Sequence, residues 1–186
     1  MLSKPDILKS IREGGLEIHP QIDEADINQV SVDLRLGQKF TTFKPPAHMA
    51  AIQMDEALWD ASEMWDTREE TDRYLLEPHS FILAHTLESV TIPGDLVGLV
   101  HGRSRYARIG LSIHVTAPKI DPGFSNTITL EMFNHGDIPI VLRPKVDKPA
   151  QLVLFRLSQA LPETELYGCR STDIFQYQNG TLPRKK

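Results

Sequence analysis

The spacing of apolar residues changes once near the start of the chain and then settles into short, extended runs. Ile7, Leu8 and Ile11 form a helical stripe behind Ser3, Pro5 and Asp6, a group that reads as a helix start, with Ser3 placed to cap and Asp6 to answer as in a capping box. Gly14 and Gly15 supply a left-handed stop, so one short amphipathic helix is predicted. Further on, Val32, Leu34 and Leu36 alternate with Ser31, Asp33 and Arg35, the two-residue period of a half-buried strand, and Gly37 ends or bulges it.

Beyond Pro78 the pattern becomes a succession of β-rich runs: Phe81 to Leu87, Ser89 to Ile92, Leu96 to Val100, Leu111 to Thr116, Thr127 to Phe133, Ile138 to Leu142 and Gln151 to Leu157. Turn formers separate most of them, among them Pro93-Gly94, Asp121-Pro122-Gly123, His135-Gly136-Asp137 and Arg143-Pro144. Short strands at this spacing predict a mainly β fold, a sandwich, jelly roll or distorted barrel rather than a parallel α/β sheet. No internal repeat is visible. Pro45-Pro46 leads into an acidic insert over about 49–73, where Met54, Leu58, Ala61 and Trp65 fall at helical spacing and predict a short helix or ordered insertion packed locally. From about 167 to 186 the chain is polar and aperiodic, which predicts a mobile tail that a ligand would order.

The 186 residues fit one domain, 1–186, with one core. Cys169 is the only cysteine, so an intramolecular disulfide and a cysteine-rich zinc cage are ruled out and a reducing cytoplasm suits the chain. No basic segment leads into an apolar run at the N-terminus, and no apolar stretch is long enough to cross a bilayer, so a soluble protein without a membrane partner is expected. The formal net charge of -5 argues against a nucleic-acid polymer as partner, because that binding rests on a broad positive surface. A local basic pocket in an acidic protein instead suits a small phosphorylated ligand.

Such a pocket has candidate parts. Arg103, Ser104, Arg105 and Arg108 crowd together after a β-run, with Gly102 allowing close backbone approach. Guanidinium groups grip phosphate oxygens bidentately and a serine hydroxyl adds a neutral donor, although the same residues also read as surface arginines paired with acids. Asp121-Pro122-Gly123 suits a type II turn, in which Asp121 alone is an ordinary turn former. Glu131 shares a strand face with Thr129 and Phe133, opposite Ile128, Leu130 and Met132. A glutamate so placed normally meets solvent; if its face lines an apolar pocket, it becomes suited to proton shuttling near neutral pH. The seven histidines show no pair at helical metal-ligand spacing, and His114, within an alternating run, reads as a core or interface residue. The zinc-deaminase signature, the nucleophile elbow and the Walker loop are all missing, so no metal ligands are assigned and any deamination is expected to proceed without zinc.

Taken together, the motifs resemble the dCTP deaminase branch of the trimeric dCTP deaminase/dUTPase family over nearly the whole chain except the insert. Met1 to Ile7 resembles that branch's opening helix, and Ser31 to Gly37, Thr86 to Val90 and Ile92-Pro93 match further motifs. The most specific run is Gly102-Arg103-Ser104, Arg108 with Gly110-Leu111, His114 to Ala117, Ile120 to Phe124 and Thr129-Leu130-Glu131.

The resemblance implies a dUTPase-type homotrimer with active sites shared between subunits. It makes Glu131 the general acid and base, with Ser104 and Arg108 reaching in from a neighbour, Arg103 and Arg105 near phosphate, and Asp121 beside the deoxyribose. Thr116, Ala117, Lys119, Ile120, Phe124 and Gln151 would position the nucleotide, and Tyr167 and Gln178 match ligand positions in a tail that closes over it. Magnesium would arrive on the triphosphate, and dUTP or dTTP would be the feedback ligand. The chain departs from the pattern at Arg105, where a second serine is expected, at Lys145 in place of glycine, at Ile174 in place of a phosphate-binding lysine, and around Thr181-Leu182-Pro183. The activity implied is conversion of dCTP to dUTP and ammonia; the related alternatives are a bifunctional enzyme making dUMP and diphosphate, and a nucleotide-binding homologue with weakened activity. A plain dUTPase fits less well, since the glycine-rich C-terminal motif of that group is missing.

Overall fold

The protein is described by a computed structural model covering residues 1–52, 62–176, 178 and 180–182. The predicted helix forms as α1 (Lys4–Arg12), with Asp6 accepting hydrogen bonds from the Ser3 amide and hydroxyl at 3.2 and 2.6 Å. Gly14, at φ +75°, ends it in the left-handed region that glycine tolerates best. Ile7 turns into the core and is fully buried.

The strands are β1 (Glu17–His19), β2 (Ser31–Leu34), β3 (Lys39–Phe43), β4 (Trp65–Glu69), β5 (Tyr74–Leu76), β6 (Phe81–Thr91), β7 (Leu96–Gly102), β8 (Leu111–Ser112), β9 (Lys119–Ile120), β10 (Ser125–Asn134), β11 (Ile140–Leu142) and β12 (Ala150–Arg156). Between β7 and β8 lies the one-turn helix α2 (Ser104–Ala107). Among the described residues, one sheet runs β4-β3-β6-β10-β8 with β1 also on β6, a second runs β2-β12-β7-β9, and β5 pairs with β11. The pairings are antiparallel throughout, as expected of a mainly β, dUTPase-type fold. Apolar side chains from both larger sheets and α1 join one buried cluster, with Leu34, Phe40, Ile82, Leu130, Leu152 and Leu154 within it.

Several elements differ from the sequence expectation. The two runs predicted on either side of Glu88 are one long strand, β6, because Glu88 is buried and its carboxylate accepts from the Arg35 amide and Nε at 2.8 and 2.6 Å. That pair ties the motif around Ser31 to Gly37 to the motif around Thr86 to Val90. β2 is buried on both faces, Asp33 included, instead of half-buried. Trp65 opens strand β4 rather than ending a helix, and packs against Phe43 at 4.8 Å between ring centroids. Met54, Leu58 and Ala61 lie outside the described residues. Among the described residues no helix is long and apolar enough to cross a membrane.

Candidate functional site

β10 alternates strictly between buried and half-exposed positions, which sends Ile128, Leu130 and Met132 into the core and Thr129, Glu131 and Phe133 to the other face. Glu131 is therefore not a solvent-side residue in an open sheet. It lies beside Leu83 of β6 and lines a cleft of about 250 Å³. The chain after β8 leaves the sheet at Ser112, where the sequence predicted a strand through Thr116, and the loop that follows brings the Val115 amide to donate to Glu131 Oε2 at 2.9 Å.

His114 thus sits in a loop, not in an alternating strand. Its ring meets that of His101 edge-on at 5.5 Å, and its Nδ1 is buried with no hydrogen-bond partner. Burial first, and His101 second, hold its pKa below the ordinary histidine value, opposed by the nearby Glu131 carboxylate.

The Asp121-Pro122-Gly123 turn closes as expected, with the Phe124 amide donating to Asp121 O at 3.1 Å and Gly123 at φ +89°. The Asp121 carboxylate pairs with Lys119 Nζ at 2.7 Å. Against this turn lies the C-terminal tail, which the sequence marked as mobile but which has its own hydrogen-bond set. Tyr167 donates its amide to Pro122 O at 2.8 Å and sets its ring 6.0 Å from that of Phe124. Gln176 clamps three segments: its Nε2 donates to Gly123 O at 2.8 Å and Tyr167 O at 3.1 Å, while its Oε1 accepts from the Ser125 amide at 3.1 Å. Gln178 Nε2 donates to Thr129 Oγ1 at 2.8 Å, and its Oε1 is buried without a hydrogen-bond partner. Burial raises the Tyr167 hydroxyl pKa above the ordinary tyrosine value.

These segments enclose one site. Of the residues singled out in the sequence, Ala117, Lys119, Ile120, Asp121, Phe124, Glu131, Tyr167 and Gln178 all line the Glu131 cleft. Leu83, Ile128, Thr129, Phe175 and Thr181 complete its described lining and were not singled out as ligand contacts. Leu83 was reachable from the alternation of β6, but Gln176 and Thr181 carry no local signal, since polar residues in an aperiodic tail look solvated.

Arg103, Ser104, Arg105 and Gln151 line a different cavity of about 350 Å³, which shares no lining residue with the first. Its walls come from the sheet containing β2, β12 and β7. Arg103 NH1 pairs with the buried Asp33 carboxylate at 2.9 Å and also donates to Lys148 O at 3.2 Å. Asn28 Nδ2 donates to the same carboxylate at 2.9 Å. Desolvation still outweighs the Arg103 charge, so Asp33 has a pKa above the ordinary carboxylate value. Arg108 caps the end of α2, and Thr116 is exposed on the 113–118 loop; neither lines either cavity. Chemically, the first cleft offers a carboxylate beside a backbone amide and an aromatic pair, and the second offers cations and a hydroxyl. Among the described residues no group of three or more His, Cys, Asp or Glu side chains is arranged to hold a metal ion.

Comparison with known proteins gives the family and the fold. The family model described as dCTP deaminase-like matches residues 1–157. The dCTP deaminase of Pseudoalteromonas atlantica is 43% identical over 151 residues, spanning 77% of this chain and 75% of that protein. The dCTP deaminase of Alteromonas mediterranea is 40% identical over 187 residues, spanning 95% and 91%. Among solved structures, the 2'-deoxycytidine 5'-triphosphate deaminase of Agrobacterium tumefaciens superposes with a TM-score of 0.64 at 20% identity, and shares the fold; the match covers 87% of this chain and half of that one.

Proposed function

The chain belongs to the dCTP deaminase-like family, and on that premise we propose that it hydrolyses dCTP to dUTP and ammonia at the Glu131 cleft. The observation that carries the reading is the placement of Glu131, bonded at Oε2 by the Val115 amide and facing a cleft walled by Phe124, Tyr167 and Asp121. With Oε2 engaged, Oε1 takes the proton of a water as its oxygen adds to C4 of cytosine. The proton passes to N3, and Glu131 then takes the proton of the new C4 hydroxyl and delivers it to the exocyclic nitrogen, so that the C4–N bond breaks and ammonia leaves as the C4 carbonyl forms. Atoms balance as dCTP plus water giving dUTP plus ammonia. A carboxylate fixed beside the reacting carbon needs no reorganisation between these transfers. Asp121, already paired with Lys119, faces the sugar, and the Phe124 and Tyr167 rings flank the nucleoside.

Among the described residues the same cleft is short of positive charge: Lys119 is the one Lys or Arg in its described lining, and it is committed to Asp121. A triphosphate carries several negative charges, and the Arg103, Ser104 and Arg105 wall that would meet them lies at the start of α2, lining the other cavity. The proposal therefore places the cations of one subunit against the Glu131 cleft of its neighbour in a homotrimer, with Arg108 and Ser104 reaching across. Arg103, oriented by Asp33, supplies its remaining N–H groups to phosphate. Magnesium enters as part of the substrate, neutralising the triphosphate.

Incubating the purified protein separately with dCTP and dUTP, with chromatography of nucleotides and an ammonia assay, tests the reaction. Equal amounts of dUTP and ammonia from dCTP, with dUTP left intact, are expected. Release of dUMP from dCTP overturns deamination alone in favour of a bifunctional enzyme, and absence of ammonia overturns deamination altogether.

A further inference from the structure

The acidic insert has a place in the site. Strand register puts Thr67 of β4 opposite Thr41 of β3, Thr41 opposite Leu83 of β6, and Leu83 opposite Glu131 of β10. Residues paired across antiparallel strands point to the same face, so these four side chains form one row running from the insert to the carboxylate. Neighbouring strands lie about 4.8 Å apart, which sets Thr67 roughly 14 Å from Glu131 along that row.

The tail lies across the row. The Thr41 hydroxyl hydrogen-bonds both Thr67, at 2.7 Å, and Thr181 of the tail. Thr41 is fully buried and Thr181 is 4% exposed, so water does not compete for the contact between them, whereas Thr67 reaches Thr41 from an exposed position of β4. Gly180, at φ +110°, lies so close to Lys39 of β3 that an added Cβ would come 2.9 Å from its Cδ. Two residues earlier, Gln178 is fixed to Thr129 and lines the cleft, as Thr181 does. Thr41 is thus the junction of two contacts, one from the insert's strand and one from the tail.

We infer that the insert is a positioning element for the reaction: β4, through Thr67 and Thr41, seats Thr181 and so holds Gln178 over the Glu131 face. Thr67 fixes the rotamer and hydrogen-bond direction of Thr41, leaving the second site of that hydroxyl for Thr181. Without the insert's strand, β3 becomes the sheet edge and the Thr41 hydroxyl loses the partner that orients it. Thr67 and Thr41 lie outside the lining of the cleft and act through the tail. The kinetic part of this inference rests on the dCTP reading, whereas the seating of the tail does not.

Hydrogen exchange of the ligand-free protein and steady-state kinetics on dCTP, run on the same variants, separate the two. Thr67→Val preserves side-chain shape and removes the hydroxyl; Thr67→Ser restores it; Thr181→Val removes the tail's side of the contact. The expected result is at least ten-fold faster exchange of the Gln178 and Gly180 amides in Thr67→Val and Thr181→Val. β6 and β10 should exchange as in the wild type, and Thr67→Ser should retain wild-type tail protection. On dCTP, KM should rise about five-fold or more in both valine variants with a smaller change in kcat. Unchanged tail exchange in Thr67→Val overturns the inference, as does faster exchange spread equally over tail and strands, which marks a loss of general stability only. A wild-type protein inactive on dCTP defeats the functional reading, and the exchange result then still decides whether the insert seats the tail.

Discussion

At the scale of single residues, the cavity lined by Arg103 depends on an ion pair that is costly by itself. Asp33 is buried and its pKa is raised chiefly by desolvation, so the Arg103 pair offsets a penalty more than it adds stability. Removing one partner should then be asymmetric. Arg103→Met strands a buried carboxylate and is expected to cost about 3 kcal/mol in chemical denaturation. Asp33→Asn leaves a guanidinium that is a quarter exposed and free to hydrate, and should cost clearly less. Combining the two should recover part of the Arg103→Met loss. Equal costs for the two single variants, or simple additivity, would show that Asp33 carries no uncompensated charge. Neither the pair nor its burial was legible in the sequence: Asp33 stood at an outward position of an alternating strand, and its partner Arg103 comes from the residue after β7, far along the chain.

At the scale of elements, β10 was legible and β4 was not, for one physical reason. The alternation that aims Glu131 is a local property of ten residues, whereas β4 exists because Lys39 to Phe43 offers it a partner across the insert. The junction of β3 with β6 is equally non-local. The His85 ring occupies the space where Gly37 has no side chain, an added Cβ there coming within 2.3 Å of the ring. Its Nδ1 donates to Thr86 O at 2.8 Å and its Nε2 accepts from the Lys39 amide at 3.2 Å, an arrangement that requires the neutral form. Burial, the largest influence, holds the His85 pKa below its ordinary 6.5. The unfolded chain therefore binds the proton more readily, so stability is fully present above about pH 6.5 and is lost as pH falls through the folded value. His85→Gln, which keeps an acceptor without a titrating ring, should flatten that acid-side slope in denaturation midpoints measured between pH 7.5 and about 5. An unchanged slope would remove His85 as its source. Gly37 was read from sequence as an interruption, but its purpose required the ring above it.

At the scale of the whole molecule, the folded chain holds two separate cavities, one with the Glu131 carboxylate and one with the Arg103 and Arg105 cations. The motif run from Gly102 to Glu131 was recognisable as a unit, yet the fold puts its arginine-rich beginning around α2 and its carboxylate end on β10, lining different cavities. A linear motif does not reveal that separation, because contiguity in sequence says nothing about which surfaces face a neighbour. The proposed division of the site between subunits, in which Glu131 carries the proton and Arg108 faces phosphate, makes a definite demand on mixed assemblies. Glu131→Gln trimers keep their cations but lack the proton carrier, and Arg108→Ala trimers keep Glu131 but lose a phosphate-facing charge. Each alone is expected to fall by at least about 100-fold in ammonia release from dCTP. After equal mixing and subunit exchange, verified by native mass spectrometry, random cyclic trimers contain intact sites at about one in four interfaces. Ammonia release from dCTP should then rise to about a quarter of the wild-type rate. Activity that stays at the sum of the two parents despite confirmed mixed trimers, or Glu131→Gln trimers that deaminate dCTP unaided, would contradict a Glu131-driven deamination built across subunits.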